Sequence, residues 1–139
     1  MTRRAVIVDI DGTVAASPHR EWFEYDQVHA DVPIQPVTSV VCSLASTHQI
    51  VFLTGRTEDS RAVTSAWLHR HFASDRGWEL HMRADGDRTE HAEQKRIALR
   101  TLILPRLTPV LVFEDDPAAV QMYRSEGLLV VDTSPYCAD

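Results

Sequence analysis

Three apolar runs constrain the fold of this chain most, because each ends on its C-terminal side in a polar cluster. "AVIV" leads into "DIDGT", "QIVFL" into "TGR" and "PVLVF" into "EDD". Short runs that are apolar at nearly every position belong to strands covered on both faces, as in a parallel sheet. "ELHM" (residues 79–82) and "LLVV" (128–131) are weaker strand candidates. Helical spacing fills the gaps: Val37, Val40, Val41 and Leu44 form one stripe, Val63, Ala66 and Trp67 begin a second, and residues 97–103 carry a third. A fourth helix is expected over 117–126, with Pro117 at its first position and Gly127 at its stop. Strands alternating with helices predict a three-layer α/β domain with a central parallel sheet. Ligands of such sheets sit beyond the carboxyl ends of the strands, where strand order reverses. All three polar clusters lie at such ends.

The length of 139 residues with 44% hydrophobic content predicts one domain over 1–139. Net charge is −6, which leaves no broad basic face for a long stretch of nucleic acid backbone, so contact with such a polymer should be local. Cys42 and Cys137 lie far apart, and Asp9 interrupts the first apolar run too early for a secretory leader or a membrane span. A reduced, cytoplasmic protein without membrane contact is expected. Residues 14–36 lack clear periodicity and are expected to form a flap or hairpin over an open site.

The acids at the first strand end pose the chemical question. Asp9 and Asp11 stand two apart, so both carboxylates could face one point, although an isolated "DIDG" would more often be a plain turn. Thr54, Gly55 and Arg56 offer a hydroxyl, a permissive backbone and a guanidinium, a set suited to phosphate oxygens. Lys95 is the only lysine among 14 basic residues, which hints that a compact charge is needed there. Glu114, Asp115 and Asp116 would repel one another without a cation, and oxygen-only ligands at an open site suit Mg²⁺. Together these groups suit phosphoryl transfer, with one acid attacking phosphorus and its neighbour moving protons.

"DIDGT", "LTGR", Lys95 and "EDD", in that order, resemble the haloacid dehalogenase superfamily of phosphatases. Longer stretches, such as "REWFEYDQVHADVPIQPV" and "LHMRADGDRTEHAEQK", resemble the 3'-phosphatase domain of bacteriophage polynucleotide kinase-phosphatases over nearly the whole chain. This resemblance implies removal of a 3'-phosphate from a nucleic acid end or nucleotide. It makes Asp9 the nucleophile, Asp11 the acid/base, and Asp115 a metal ligand with Asp9 and the Asp11 carbonyl. It also implies phosphate-site roles for Thr54, Arg56 and Lys95, a substrate-approaching role for the flap residue Arg20, and a metal role for Asp116. Two departures stand out. Pro117 replaces an arginine common in the family, and no "GxxxxGK[ST]" loop occurs in this sequence, so the resemblance carries over dephosphorylation alone, with a separate kinase or ligase as an expected partner.

Other signals have plain readings beside functional ones. Arg83, Asp87 and Arg88 could line the rim or form a solvated loop. His69 and His71, two apart on a helix, point different ways and read as surface residues. Trp22, Phe23 and Tyr25 could stack on a base or pack the flap. Two other functions share the motifs: a small-metabolite phosphatase, favoured by the acidic charge, and a receiver-like signalling domain, opposed by the early "DxD".

Overall fold

A computed structural model of the protein describes residues 2–136. Five parallel strands form the central sheet: β1 (Arg3–Val8), β4 (Gln49–Thr57), β5 (Trp78–Arg83), β6 (Leu107–Glu114) and β7 (Val130–Asp132). The order across the sheet is β5-β4-β1-β6-β7. The chain therefore builds outward from β1 on one side and then crosses to the other, which puts the reversal of strand order beside β1. Two further strands, β2 (Ala15–Ala16) and β3 (Val32–Pro33), pair antiparallel as a small hairpin.

Alternation along β1 explains the three layers. Val6, Val8 and Ile10 face one apolar cluster, with Phe52, Trp67 and Leu68, while Ala5 and Ile7 face another, with Leu53, Leu99 and Tyr123. Helices α1 (Gln35–Leu44) and α2 (Arg61–His71) contribute to the first cluster; α3 (His91–Ala98) and α4 (Pro117–Ser125) contribute to the second. The inner parts of β1 and β4 bury both faces, as their continuous apolar runs require, whereas the edge strands β5 and β7 stay partly exposed. Of the two cysteines, Cys42 carries a free thiol on α1, and Cys137 lies outside the described residues.

The elements follow the sequence reading with three differences. The third helix starts earlier than its apolar stripe, at His91, where both carboxylate oxygens of Glu90 accept amides of the first turn, from Ala92 at 2.9 Å and Glu93 at 3.2 Å. Lys95 therefore sits inside the helix, not at its start, and residues 99–103 continue as a π-helical turn. The last strand is shorter and later than "LLVV", and Leu129 points to solvent. The segment 14–36 is a flap as expected, held by the hairpin, by the 3₁₀ turn Tyr25–Ala30 and by the Trp67 indole, which donates to the Asp31 carbonyl at 2.9 Å. Among the described residues, no helix is long and apolar enough to cross a membrane.

Candidate active site

The carboxyl ends of β1, β4 and β6 meet at a cavity of about 590 Å³ whose lining includes Asp9, Asp11, Thr54, Gly55, Asp115 and Asp116. Asp9 continues the register of Ala5 and Ile7 and so faces α3. Its Oδ1 accepts from Lys95 Nζ at 2.8 Å and its Oδ2 from the Thr13 hydroxyl at 3.0 Å. Burial alone would raise its pKa. The Lys95 ammonium and hydrogen bonds around it outweigh burial and hold the carboxylate below its usual range. Asp9 is thus a charged, oriented carboxylate at the cavity floor.

Lys95 is fully buried, so its charge needs local partners. Besides Asp9 it donates to Glu114 Oε1 at 2.6 Å, and the two acids raise its affinity for its proton despite burial. The other Glu114 oxygen accepts the amides of Asp115 and Asp116 at 3.1 and 3.2 Å. Glu114 therefore fixes both the lysine and the turn that carries its neighbours.

The "EDD" triplet divides into three jobs. Glu114 points inward, Asp115 turns to the cavity, and Asp116 caps α4 by accepting the Ala119 amide at 2.9 Å. Oxygens of Asp9, Glu114 and Asp115 lie within 4.8 Å of one another. Burial, then the neighbouring Asp9, pushes the Asp115 carboxyl up to about 7, and burial with Asp9 pushes Glu114 upward too. Three acids around one ammonium are short of positive charge, and their oxygen-only donors fit a hard divalent cation. Glu114 is fully buried and does not reach the cavity, whereas Asp9 and Asp115 line it, so these two are the carboxylates that would hold it, with Asp116 at the cavity edge. Gly12 makes this approach possible: at φ +76° it takes a left-handed turn, and a Cβ there would collide with the Asp115 carboxylate.

Asp11 diverges from Asp9, contrary to the expectation that both face one point. Strand pairing of β1 ends at Val8, and the Ile10 carbonyl then accepts the amides of Thr13, Val14 and Ala15, so a period of two does not extend to residue 11. Both acids line the cavity, but different cations hold them. Arg56 grips Asp11 with two donors, at 2.9 and 2.7 Å, and also donates to Asp31 at 2.9 Å and to Thr64 at 3.1 Å. The guanidinium expected at a phosphate position thus orients the second aspartate. Arg20 clamps Asp31 through Nε at 2.8 Å and Nη2 at 3.0 Å, and lies 3.7 Å from Asp11.

Thr54 is buried, its hydroxyl accepting the Arg56 amide at 3.1 Å. Gly55 lies beneath His91, whose ring would be 2.9 Å from any added Cβ. Arg83, Asp87 and Arg88 do line the cavity, and Arg83 ties their loop down by donating to the Thr89 carbonyl at 2.7 Å. His69 and His71 pack their rings against Trp78 and Trp67, away from the site. Asp31 and His91 escaped the sequence reading as site residues, and Glu114 figures there only as one of three repelling acids, without its pairing to Lys95. Glu114 alone left a signal there, a charge on the buried register of Val112.

The reversal of strand order beside β1, with acids of β1 and β6 around one lysine, defines a phosphatase of the haloacid dehalogenase type. A haloacid dehalogenase-like hydrolase from Streptococcus pneumoniae shares the fold, with a TM-score of 0.59, 12% identity, and 92% of this chain and 83% of that chain covered. The chain belongs to the family of polynucleotide kinase phosphatase domains: the model described as "Polynucleotide kinase PNKP phosphatase domain" matches residues 3–135. A protein of Autographa californica nuclear polyhedrosis virus, "Putative bifunctional polynucleotide kinase/RNA ligase", is 31% identical over 124 residues, 87% of this chain and 18% of the viral protein. A chain in the Pnkp1/Rnl/Hen1 complex has the same fold, with a TM-score of 0.84, 23% identity, and 94% of this chain and 46% of that chain covered. The chain thus spans under half the length of these two larger proteins.

Proposed function

We propose that this domain removes phosphate from the 3' end of a nucleic acid or nucleotide through a covalent intermediate on Asp9. The carrying observation is the pair of separately held acids: Asp9 fixed by Lys95 and Thr13, and Asp11 fixed by Arg56, on one cavity. A Asp9 carboxylate oxygen attacks phosphorus, and the bond from phosphorus to the 3' oxygen breaks. Asp11 enters this step protonated, with one prong of the Arg56 grip released, and gives its proton to the departing oxygen. It then takes a proton from the water that hydrolyses the acyl phosphate, releasing inorganic phosphate and restoring Asp9. Lys95, Thr54 and the Gly55 amide face charge as it shifts onto the phosphoryl oxygens. Mg²⁺ held by Asp9, Asp115 and the Asp11 carbonyl would screen the repulsion between the attacking carboxylate and the phosphate. Asp116 supports that turn through its cap.

Family membership supports a nucleic acid end over a free metabolite. The viral relative combines kinase and ligase names, and the structural neighbour sits in a complex, which supports a kinase or ligase acting beside this domain. Phosphate release from 3'-phosphorylated, 5'-phosphorylated and small-metabolite substrates, with and without Mg²⁺, tests the reading. Mg²⁺-dependent release from the 3' substrates is expected; release confined to metabolites would overturn the substrate assignment.

A further inference from the structure

A second cavity, of about 700 Å³, adjoins the catalytic one, and the two share Asp11 and Trp22 as lining. Its other walls include Gly12, Pro18, Arg20 and Tyr136. The two cavities differ in chemistry. The catalytic one is floored by Asp9 and Asp115 and rimmed by Arg83 and Arg88, which suits phosphate and metal. Among the described residues, the second is lined by no acid except Asp11 and presents two large aromatic rings to solvent, Trp22 at 77% and Tyr136 at 61% exposure.

Exposed rings of this size forgo burial, and neither is needed by the core. Trp22 has one aromatic neighbour, Phe23, which meets it edge-on at 5.5 Å and leaves ring surface available. Tyr25, by contrast, packs on the core. Position decides what such a groove could hold. Asp11 delivers a proton to the departing oxygen, so the leaving group starts at the border between the cavities. The side away from phosphate is the groove with Trp22 and Tyr136.

We infer that this groove binds the terminal nucleoside of a 3'-phosphorylated strand, its base stacked on Trp22 and Tyr136, while the phosphate enters the catalytic cavity. The inference rests on the phosphatase reading and adds a base-recognition subsite to it. Aromatic stacking tolerates any base, so the subsite selects for the presence of a base and not for its identity. A domain of net charge −6, expected to touch such a polymer only locally, would gain its hold on the strand end this way.

The test compares a 3'-phosphorylated oligonucleotide with the same strand ending in an abasic 3'-phosphate, for wild type, Trp22→Ala, Trp22→Phe and Tyr136→Ala. Wild type is expected to prefer the base-bearing end in kcat/KM. Trp22→Ala and Tyr136→Ala are each expected to cut that preference by about tenfold, mainly through KM, and Trp22→Phe to keep most of it. A second arm follows binding of the 3'-hydroxyl product strand by the anisotropy of a 5' label, which needs no turnover. Weaker binding in Trp22→Ala than in Trp22→Phe supports the subsite. Equal turnover of both ends by wild type, or product binding indifferent to both alanine variants, overturns it. Absence of phosphate release from every substrate would sink the phosphatase reading alone, and the anisotropy arm would still decide on the groove.

Discussion

Arg56 holds Asp11 in a two-pronged grip, Nε to Oδ2 at 2.9 Å and Nη2 to Oδ1 at 2.7 Å, while its own burial is offset by Asp31. Planar matching of this kind fixes direction as well as charge. Arg56→Ala should therefore strand Asp31 without one of its two guanidinium partners and let Asp11 rotate. Loss of a buried pair costs about 3–5 kcal/mol, and turnover should fall by about a hundredfold. Arg56→Lys should recover part of the stability but little activity, because an ammonium cannot form the fork. Denaturant unfolding and kcat on a 3'-phosphorylated strand check both.

Asp9→Asn and Asp11→Asn should part company. The first removes the attacking charge while keeping shape, so turnover should disappear with the fold intact and no phosphorylated protein should form. The second leaves attack possible but slows proton transfer to the leaving group and from water, so a covalent phosphoprotein should accumulate. Intact-protein mass spectrometry after mixing with substrate separates them. A normally active Asp9→Asn would remove that residue from its role.

Gly12→Ala targets the turn rather than the chemistry. Its left-handed φ of +76° costs a non-glycine residue about 1–2 kcal/mol, and the new methyl would meet the Asp115 carboxylate. The turn and Asp115 must shift apart. Lower stability is expected, together with a higher Mg²⁺ concentration for half-maximal activity. An unchanged Mg²⁺ response would separate Asp115 from the cation.

Asp31 should make stability sensitive to acid. It is buried between Arg20 and Arg56, with His19 Nε2 at 3.5 Å. Burial raises its pKa, yet the hydrogen bonds and charges of the two arginines hold it below the ordinary 3.8. The unfolded chain then takes up the proton first as pH falls. Its contribution is complete above 3.8 and drains away below, through the lower folded value. The difference in unfolding free energy between wild type and Asp31→Asn, followed across that window, should shrink as pH drops. A constant difference would contradict the assignment.

Much of this was readable from the chain because strands buried on both faces announce themselves, and a parallel sheet gathers their polar ends at one edge. Asp9 and Asp115 converge for that reason, and Lys95 reaches them from α3. Contacts formed across sequence were not readable. Asp31 lies in the aperiodic flap, and nothing local shows that it bridges Arg20 and Arg56. The two roles of "EDD" beyond Asp115 depend on where β6 stops: Glu114 still obeys the strand's alternation and points to Lys95, whereas Asp116 already belongs to the next helix. The aromatic trio also divided only in three dimensions, Tyr25 going inward and Trp22 and Phe23 outward.

Lys95 is the single lysine in these 139 residues and is wholly enclosed by the catalytic cluster. Its side-chain amine is therefore a built-in reporter: an acylating reagent can reach it only when α3 parts from the ends of β1 and β6. The rate at which that one amine is consumed measures how often the reaction centre breathes open, and a bound phosphate or metal ion should slow the clock.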